Sequence, residues 1–500
     1  MSRIRVNWRS SLALTGTVLL YLAAPLAFPL ALAVYYAEPV LPFLAAIVAT
    51  LLFGGALRSL AREGEHLGPR EAFLAVALIW LSVAAVGAIP FIVAGNGNIA
   101  HPINALFESM SGLTTTGATV MLDFSIHDRS VLMWRQLIQW LGGLGVLILV
   151  TAILSELGVS GAQLMETETQ TQDVNKLTPR ISETAKLLWG LYVGLTVLAV
   201  VVLYGIHLLG LDPRMDLYNA VAHAFTSVAT AGFSPEPESV GAFAPITQWA
   251  VVPFMLLGST SFILMYFFIN GEPMRLLKSE EFRFYLSVVA VFSALVTVFL
   301  FLSTEFEMGV EATVRHAVFN VASIVTTTGY ASMDFDVWPA AAKLVLFSAM
   351  FVGGMVGSTT CSLKSLRWLV TLKSLRRNLF TAVHPDAIRP VRISGRPVDE
   401  ETIRDIYVYL LLSVLLFFLL ALFVIADGAR AGVNVSEFEA MGAAASTFLN
   451  IGPAFGMAGP YGSYAEFPAT TRAVMIVLMW VGRIEIIPVL VLFTTAFWRS

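Results

Sequence analysis

Thr326, Thr327 and Thr328 stand directly before Gly329 in NVASIVTTTGYAS, residues 320–332, between two very apolar segments. Glycine takes backbone angles that other residues avoid, so successive carbonyls beside it can turn toward a common axis. Several such strands around one axis would form a ring of carbonyl oxygens able to replace the hydration shell of a cation. The stretch recurs. Aligned on one glycine each, NALFESMSGLTTTGA contains Gly117, NAVAHAFTSVATAGF contains Gly232, HAVFNVASIVTTTGY contains Gly329 and EAMGAAASTFLNIGP contains Gly452. Twelve residues earlier each has alanine (Ala105, Ala220, Ala317, Ala440), and six residues earlier each has a hydroxyl (Ser111, Thr226, Ser323, Ser446). The candidate cation ligands are Thr115, Thr116 and Gly117; Thr230, Ala231 and Gly232; Thr327, Thr328 and Gly329; Asn450, Ile451 and Gly452.

The elements that must position them follow from length. About 12 weakly polar residues precede each threonine cluster, and as a helix they reach only about 18 Å, short of a hydrocarbon core of about 30 Å. Such a helix dips in and must return. Non-helical backbone at that depth is tolerated only where protein buries it or it lines a watery cavity. Long apolar candidates lie near 11–35, 39–57, 71–94, 131–154, 186–209, 246–269, 284–303, 339–357, 404–426 and 473–498, one flanking each repeat on either side. The glycines recur roughly every 100 to 120 residues, as a repeated helix, re-entrant segment, helix unit requires. The expected fold is an all-α integral membrane protein. Four helix–pore-loop–helix repeats surround one pore in pseudo-fourfold fashion, as units 67–178, 179–280, 281–398 and 399–500, after an N-terminal helix pair at 1–66.

Composition agrees. The chain has 500 residues, 57% hydrophobic and 13% charged, with mean hydropathy +0.78. Soluble domains run near about 25% charged. A net charge of −4 gives no footing for nucleic-acid binding, and the single Cys361 excludes an intramolecular disulfide. The opening MSRIRVNWRS runs into an apolar segment without a small-residue cleavage site and reads as a retained first helix. Basic residues concentrate in alternate connectors: Arg3, Arg5 and Arg9; Arg58, Arg62 and Arg70; Arg275, Lys278 and Arg283; and the run from Lys364 to Arg396. Asp123, Glu236, Glu305, Glu307 and Asp334 fall in the others. The positive-inside rule then places both termini in the cytoplasm.

Two further stretches break the apolar pattern. In FVGGMVGSTTCSLKSLR, residues 351–367, Gly353, Gly354 and Gly357 precede Ser358, Thr359 and Thr360 and should interrupt a helix in mid-membrane; close helix packing by small residues is the alternative, which the Ser-Thr-Thr cluster that follows disfavours. In WVGRIEIIPVL, residues 480–490, Arg483 and Glu485 lie inside an apolar segment, where ionisable groups are costly. Positions two apart do not share a helix face, so the arginine should find its partner on another segment. LLGSTSFILMYFF suggests a similar break at Gly258, and WLGGLGVLILV a packing helix.

With these motifs the whole chain resembles the Trk/Ktr/HKT superfamily of potassium transporters, in its TrkH/TrkG-type pore-forming branch. The resemblance implies a filter with one glycine per loop, met by Gly117, Gly232, Gly329 and Gly452. Serine at the first position accompanies sodium preference in plant members, so Gly117 implies potassium, with rubidium also accepted. It also implies that 353–360 belongs to an intramembrane gate loop beneath the filter and that Arg483 stands near it, opposing cation passage until repositioned. TCSLK occupies a place where the family is richer in glycine, which implies a stiffer loop. The resemblance further implies a homodimer in the cytoplasmic (inner) membrane on a cytosolic ring of nucleotide-binding TrkA-type subunits. No cofactor belongs to this chain; potassium is cargo.

Other classes fare worse. H-E-x-x-H, G-x-S-x-G and G-x-G-D are absent and no histidines are spaced as a metal pair, which disfavours an intramembrane enzyme. His223 and His316 fit packing or capping. Proton- or sodium-coupled symport stays open as the alternative to gated conduction. It would need an acid on the pathway, for which Glu108 and Glu485 are the candidates.

Overall fold

A computed structural model of the protein describes residues 6–60, 68–157, 181–304 and 308–499. Arg3, Arg5, Arg62, Glu305, Glu307 and the unit boundaries at 66/67 and 178/179 lie outside them. An N-terminal pair, Trp8–Tyr35 and Leu41–Arg58, crosses closely because Gly16 and Gly54 face each other. A Cβ on Gly16 would lie 2.6 Å from the Gly54 carbonyl oxygen.

Four similar units follow. The first has Pro69–Gly87 continued by Ile89–Ala94, the short helix Pro102–Leu113, then Arg129–Leu157. The second has Ile181–Leu208, Leu217–Val228 and Pro245–Gly258. The third has Glu280–Leu302, Val310–Val325 and Ala340–Ala349. The fourth has Glu400–Ala431, Glu437–Phe448 and Ala469–Ile484. Three of the four middle helices are 12 residues long and the third is 16. Their starts are set locally: Asp216 accepts from the Asn219 N–H, and Ser436 with Glu439 forms a reciprocal capping box.

Burial is inverted relative to a soluble bundle. The short, weakly polar helices lie inside; Ala105, Ala220, Ala317 and Ala440 are fully buried. The long apolar helices face outward, with Leu411, Phe418 and Leu422 of Glu400–Ala431 exposed, as helices bounded by lipid must be. Among the described residues six helices are long and apolar enough to cross a membrane, and two bent pairs raise the number to eight.

Three expected spans are not continuous. Pro245–Gly258 resumes as Phe262–Ile269 after a 104° bend, and Ala469–Ile484 resumes as Ile486–Leu492 after one of 112°. The span expected over 339–357 is helical only through Ala349 and resumes at Ser365–Val383. Gly353 and Gly354 explain why. A Cβ on Gly353 would stand 2.5 Å from the Cys361 carbonyl oxygen, and one on Gly354 would stand 2.7 Å from that of Ser259. Backbone approaches this close leave no room for a helix with side chains.

Candidate cation pathway

The four glycine segments meet in a closed ring. A Cβ on Gly117 would lie 2.4 Å from the carbonyl oxygen of Ala231, on Gly232 1.9 Å from that of Thr328, on Gly329 2.0 Å from that of Ile451, and on Gly452 2.7 Å from that of Thr116. Each glycine thus abuts the residue before the next unit's glycine, and the fourth returns to the first. Thr115, Thr116, Thr230, Ala231, Thr327, Thr328, Asn450 and Ile451 are all fully buried there.

Backbone conformation repeats with the ring. Gly117, Gly232, Gly329 and Gly452 have φ of 79°, 81°, 80° and 111°, and the residues two before them, Thr115, Thr230, Thr327 and Asn450, have 53°, 49°, 52° and 55°. The residue between each pair keeps a negative φ. A left-handed turn at every second residue brings successive carbonyls to the same side of the strand, where an extended strand would alternate them. For threonine this is costly, since a β-branched residue rarely takes positive φ.

The helix ends impose it. The N–H of Thr116, Ala231, Thr328 and Ile451 donates to the carbonyl of Ser111, Thr226, Ser323 and Ser446 at 2.8–2.9 Å. In the first three units the N–H of Thr115, Thr230 and Thr327 also donates to Gly112, Ser227 and Ile324. This is the Schellman closure of a helix, with threonine where glycine is usual. The aligned hydroxyls then hold the strand: Ser111 donates to Ala118 O, Ser323 to Tyr330 O and Ser446 to Gly452 O at 2.6–2.7 Å. Thr226 instead bonds the Tyr330 hydroxyl of the next unit. Each short helix directs its C-terminal partial negative charge at the ring, which favours a cation.

Nine residues before each glycine stand Glu108, His223, Asn320 and Ala443, and the first three pin the strand leaving the ring. Glu108 accepts from the Val120 N–H at 2.9 Å and from Thr119 Oγ1, His223 Nε2 bonds Ser234 Oγ at 3.0 Å, and Asn320 Nδ2 donates to Ser332 Oγ at 3.1 Å. Glu108 is also paired with Arg135 at 2.7 Å, both fully buried, and Arg135 donates onward to the Ser234 carbonyl in the second unit. A cavity of about 180 Å³ has the four glycines in its wall together with Glu236 and Glu466. In the connector beyond, burial first and Arg135 second push His127 down to about 4, so it adds no positive charge near this mouth at neutral pH.

Beneath the ring runs the buried loop 350–364. Thr359 Oγ1 donates to the Gly258 carbonyl at 2.9 Å and shares a 3.0 Å bond with Thr230 Oγ1; the Cys361 N–H donates to Thr327 Oγ1 at 3.1 Å. Gly357 O accepts from the Phe262 N–H, Ser358 Oγ donates to Met355 O, and Lys364 Nζ bonds the Thr360 carbonyl. Arg483 reaches the same loop, donating to Thr359 O at 2.8 Å and Cys361 Sγ at 2.7 Å, and to the Gly142 carbonyl of the first unit at 3.1 Å. Glu485 turns away at φ +73° and accepts two 2.9 Å bonds from Arg367. Arg483 and Glu485 therefore find partners on other segments, as their spacing requires.

The sequence reading missed the Glu108–Arg135 pair, taking Arg135 as part of an apolar span. It also missed a second repeated glycine. Cβ atoms on Gly142, Gly258 and Gly482 would lie 1.8, 2.6 and 2.1 Å from the carbonyl oxygens of Leu113, Val228 and Phe448, each four residues before a ring glycine. A glycine in the helix after three of the four ring segments was the available signal. Gly142→Val should accordingly lose most folded protein, read as the monodisperse fraction in detergent, whereas Gly190→Val, with open space around it, should keep it.

The model of the TrkH family, described as cation transport protein, matches residues 41–500. The chain belongs to the TrkH family of cation transport proteins. It is 34% identical to the Trk system potassium uptake protein TrkH of Halomonas elongata, over 99% of this chain and all of that protein. It is 31% identical to the Escherichia coli K12 protein TrkG, over 94% and 95% of the two chains. The crystal structure of the potassium transporter TrkH from Vibrio parahaemolyticus superposes with a TM-score of 0.87 at 29% identity, covering 99% of this chain and all of that one. This family member is thus a multi-pass helical membrane transporter and not an enzyme.

Proposed function

We propose that this chain takes up potassium through the glycine ring, acting as a selectivity filter, with loop 350–364 and Arg483 as its gate. The observation that carries the reading is the closed ring. Four segments share one alternating backbone conformation and sit at the C-termini of four buried helices. The relatives' names, potassium uptake proteins of Trk systems, supply the ion. Gly353, Gly354 and Gly357 let the loop pass close under the ring; Thr359 ties it there through Thr230 and the Gly258 carbonyl, while Ser358 braces it on Met355 O and Thr360 offers its carbonyl to Lys364. Rubidium, close to potassium in size, should also pass.

Gated passive conduction is favoured over coupled symport by the two candidate acids. Glu108 is held by Arg135 and the Val120 N–H, and Glu485 by Arg367, so neither is a free proton carrier facing the ring. The chain is taken to lie in the cytoplasmic membrane with both termini inside, as units 67–178, 179–280, 281–398 and 399–500 after a helix pair at 1–66. In this reading it works as a homodimer, and the basic 364–398 stretch is the face offered to a TrkA-type nucleotide-binding ring.

The test is cation flux in liposomes under an imposed potential. Rubidium flux far above sodium flux is expected, and Arg483→Gln should raise basal flux at least about tenfold by removing a buried positive charge from the path. Equal flux of all cations would refute the filter; an unchanged rate in Arg483→Gln would refute this gate.

A further inference from the structure

We propose that the loop also regulates the cation affinity of the ring, by engaging two of the side-chain oxygens that complete its innermost site. The proposal rests on the filter reading above and adds a coupling to it.

The innermost layer of the ring is formed by the four left-handed residues Thr115, Thr230, Thr327 and Asn450. They are equivalent by position and unequal by partner. Thr230 Oγ1 reaches its own Ala229 carbonyl at 2.8 Å and shares a 3.0 Å bond with Thr359 Oγ1, and Thr327 Oγ1 accepts the Cys361 N–H at 3.1 Å. Two adjacent units are thus tied to loop residues two apart. Thr115 Oγ1, fully buried, has no partner among the described residues. Asn450 Nδ2 donates to Thr116 Oγ1 at 2.8 Å and to the Met479 carbonyl at 2.9 Å, while its Oδ1, beside Gly482, is, like Thr115 Oγ1, buried with no partner among the described residues and untouched by the loop.

An unpartnered buried hydroxyl is costly unless something bonds it part of the time. In a ring that passes dehydrated alkali cations, the cation is that partner for Thr115. The same chemistry is fully open to Thr230 and Thr327 only when the loop releases them, because a hydroxyl bonded to Thr359 or to the Cys361 N–H commits its proton or one of its two lone pairs to that bond and is oriented by it. With the loop seated, only the Thr115 hydroxyl of the three is unengaged; with the loop withdrawn, Thr230 and Thr327 lose their loop bonds and can turn toward a cation. Loop position and cation occupancy at the inner layer are then linked, and by reciprocity a bound cation favours the withdrawn loop.

The linkage is read by measuring potassium binding to the purified full-length protein by titration calorimetry, beside rubidium flux and rubidium-over-sodium selectivity in liposomes. Thr359→Val removes the hydroxyl that engages Thr230. It should raise potassium affinity about threefold to tenfold, the scale of one redistributed hydrogen bond, and raise flux with it. Thr359→Ser should behave as the parent protein. Thr230→Val removes the filter's own oxygen, so it should lower affinity while still raising flux. That opposite movement of two readouts is not expected of a merely structural contact, and it decides the matter should Thr359→Val fail to fold. Higher flux in Thr359→Val with unchanged affinity, or affinity moving together with flux in Thr230→Val, overturns the coupling. Failure of the filter reading shows separately, as a Gly329→Ser protein whose rubidium-over-sodium selectivity matches the parent's.

Discussion

Gly329→Ser is expected to lower potassium-over-sodium selectivity by at least about tenfold, equivalent to about 1.4 kcal/mol of lost discrimination. The added Cβ would stand 2.0 Å from the Ile451 carbonyl oxygen and 2.9 Å from the Pro453 ring, and φ at this position is +80°. Nothing there can yield cheaply. The obstructing atom is backbone, and Ile451 itself stands before the next ring glycine. The ring must therefore open at the junction of the third and fourth units, displacing the carbonyls that would replace an ion's water. Gly232→Ser should be as severe, with its Cβ 1.9 Å from the Thr328 carbonyl oxygen, and Gly117→Ser milder at 2.4 Å. Reversal potentials in mixed potassium and sodium gradients give the ratio directly. Selectivity preserved in Gly329→Ser would mean that discrimination is made elsewhere along the path.

Glu108→Ala is expected to destabilise the protein by about 3–5 kcal/mol, the usual cost of leaving one member of a buried ion pair alone. Arg135 would keep its contact with the Ser234 carbonyl and its stacking over Phe233 at 4.0 Å, with no carboxylate to balance it. The Val120 N–H would lose its acceptor as well, loosening the strand that leaves the ring. The double change Glu108→Ala with Arg135→Leu should recover much of the loss, because the uncompensated charge goes with it. Thermal unfolding in detergent, followed by loss of the monodisperse peak, reports both. A single variant as stable as the parent would mean that the pair is solvated.

The sequence carried the short helices, their register and the broken third-unit helix, since length against membrane thickness and repeated residue types are local signals. The serine at Ser323 and the glycine at Gly329 could be aligned with their counterparts for that reason. The left-handed threonines were not legible: Thr327 adopts φ +52° because a helix closure and a loop bond hold it, and threonine's own preference argues the other way. Arg135 was equally silent. Its carboxylate lies 27 residues back, on another element, and no period links the two. Glu108 stood out, but the arginine that binds it did not. What the apolar count over 339–357 missed was where the break begins: the helix ends at Ala349, ahead of Gly353, which the Cys361 carbonyl crowds.

The loop 350–364 comes from the third unit alone, and what it touches is spread unequally: Thr230 and Gly258 in the second unit, Thr327 in its own, Arg483 in the fourth, and through that arginine Gly142 in the first. An axis has room for one stopper. Four identical subunits around a pore would each carry the same insertion, and the copies would collide before any reached the centre. In the gate reading proposed above, a single polypeptide with unlike quarters escapes that difficulty, because one quarter can supply the obstruction while the others form its seat. The departures from fourfold likeness, Asn450 for threonine and Arg483 on one helix only, are the form such a division of labour takes.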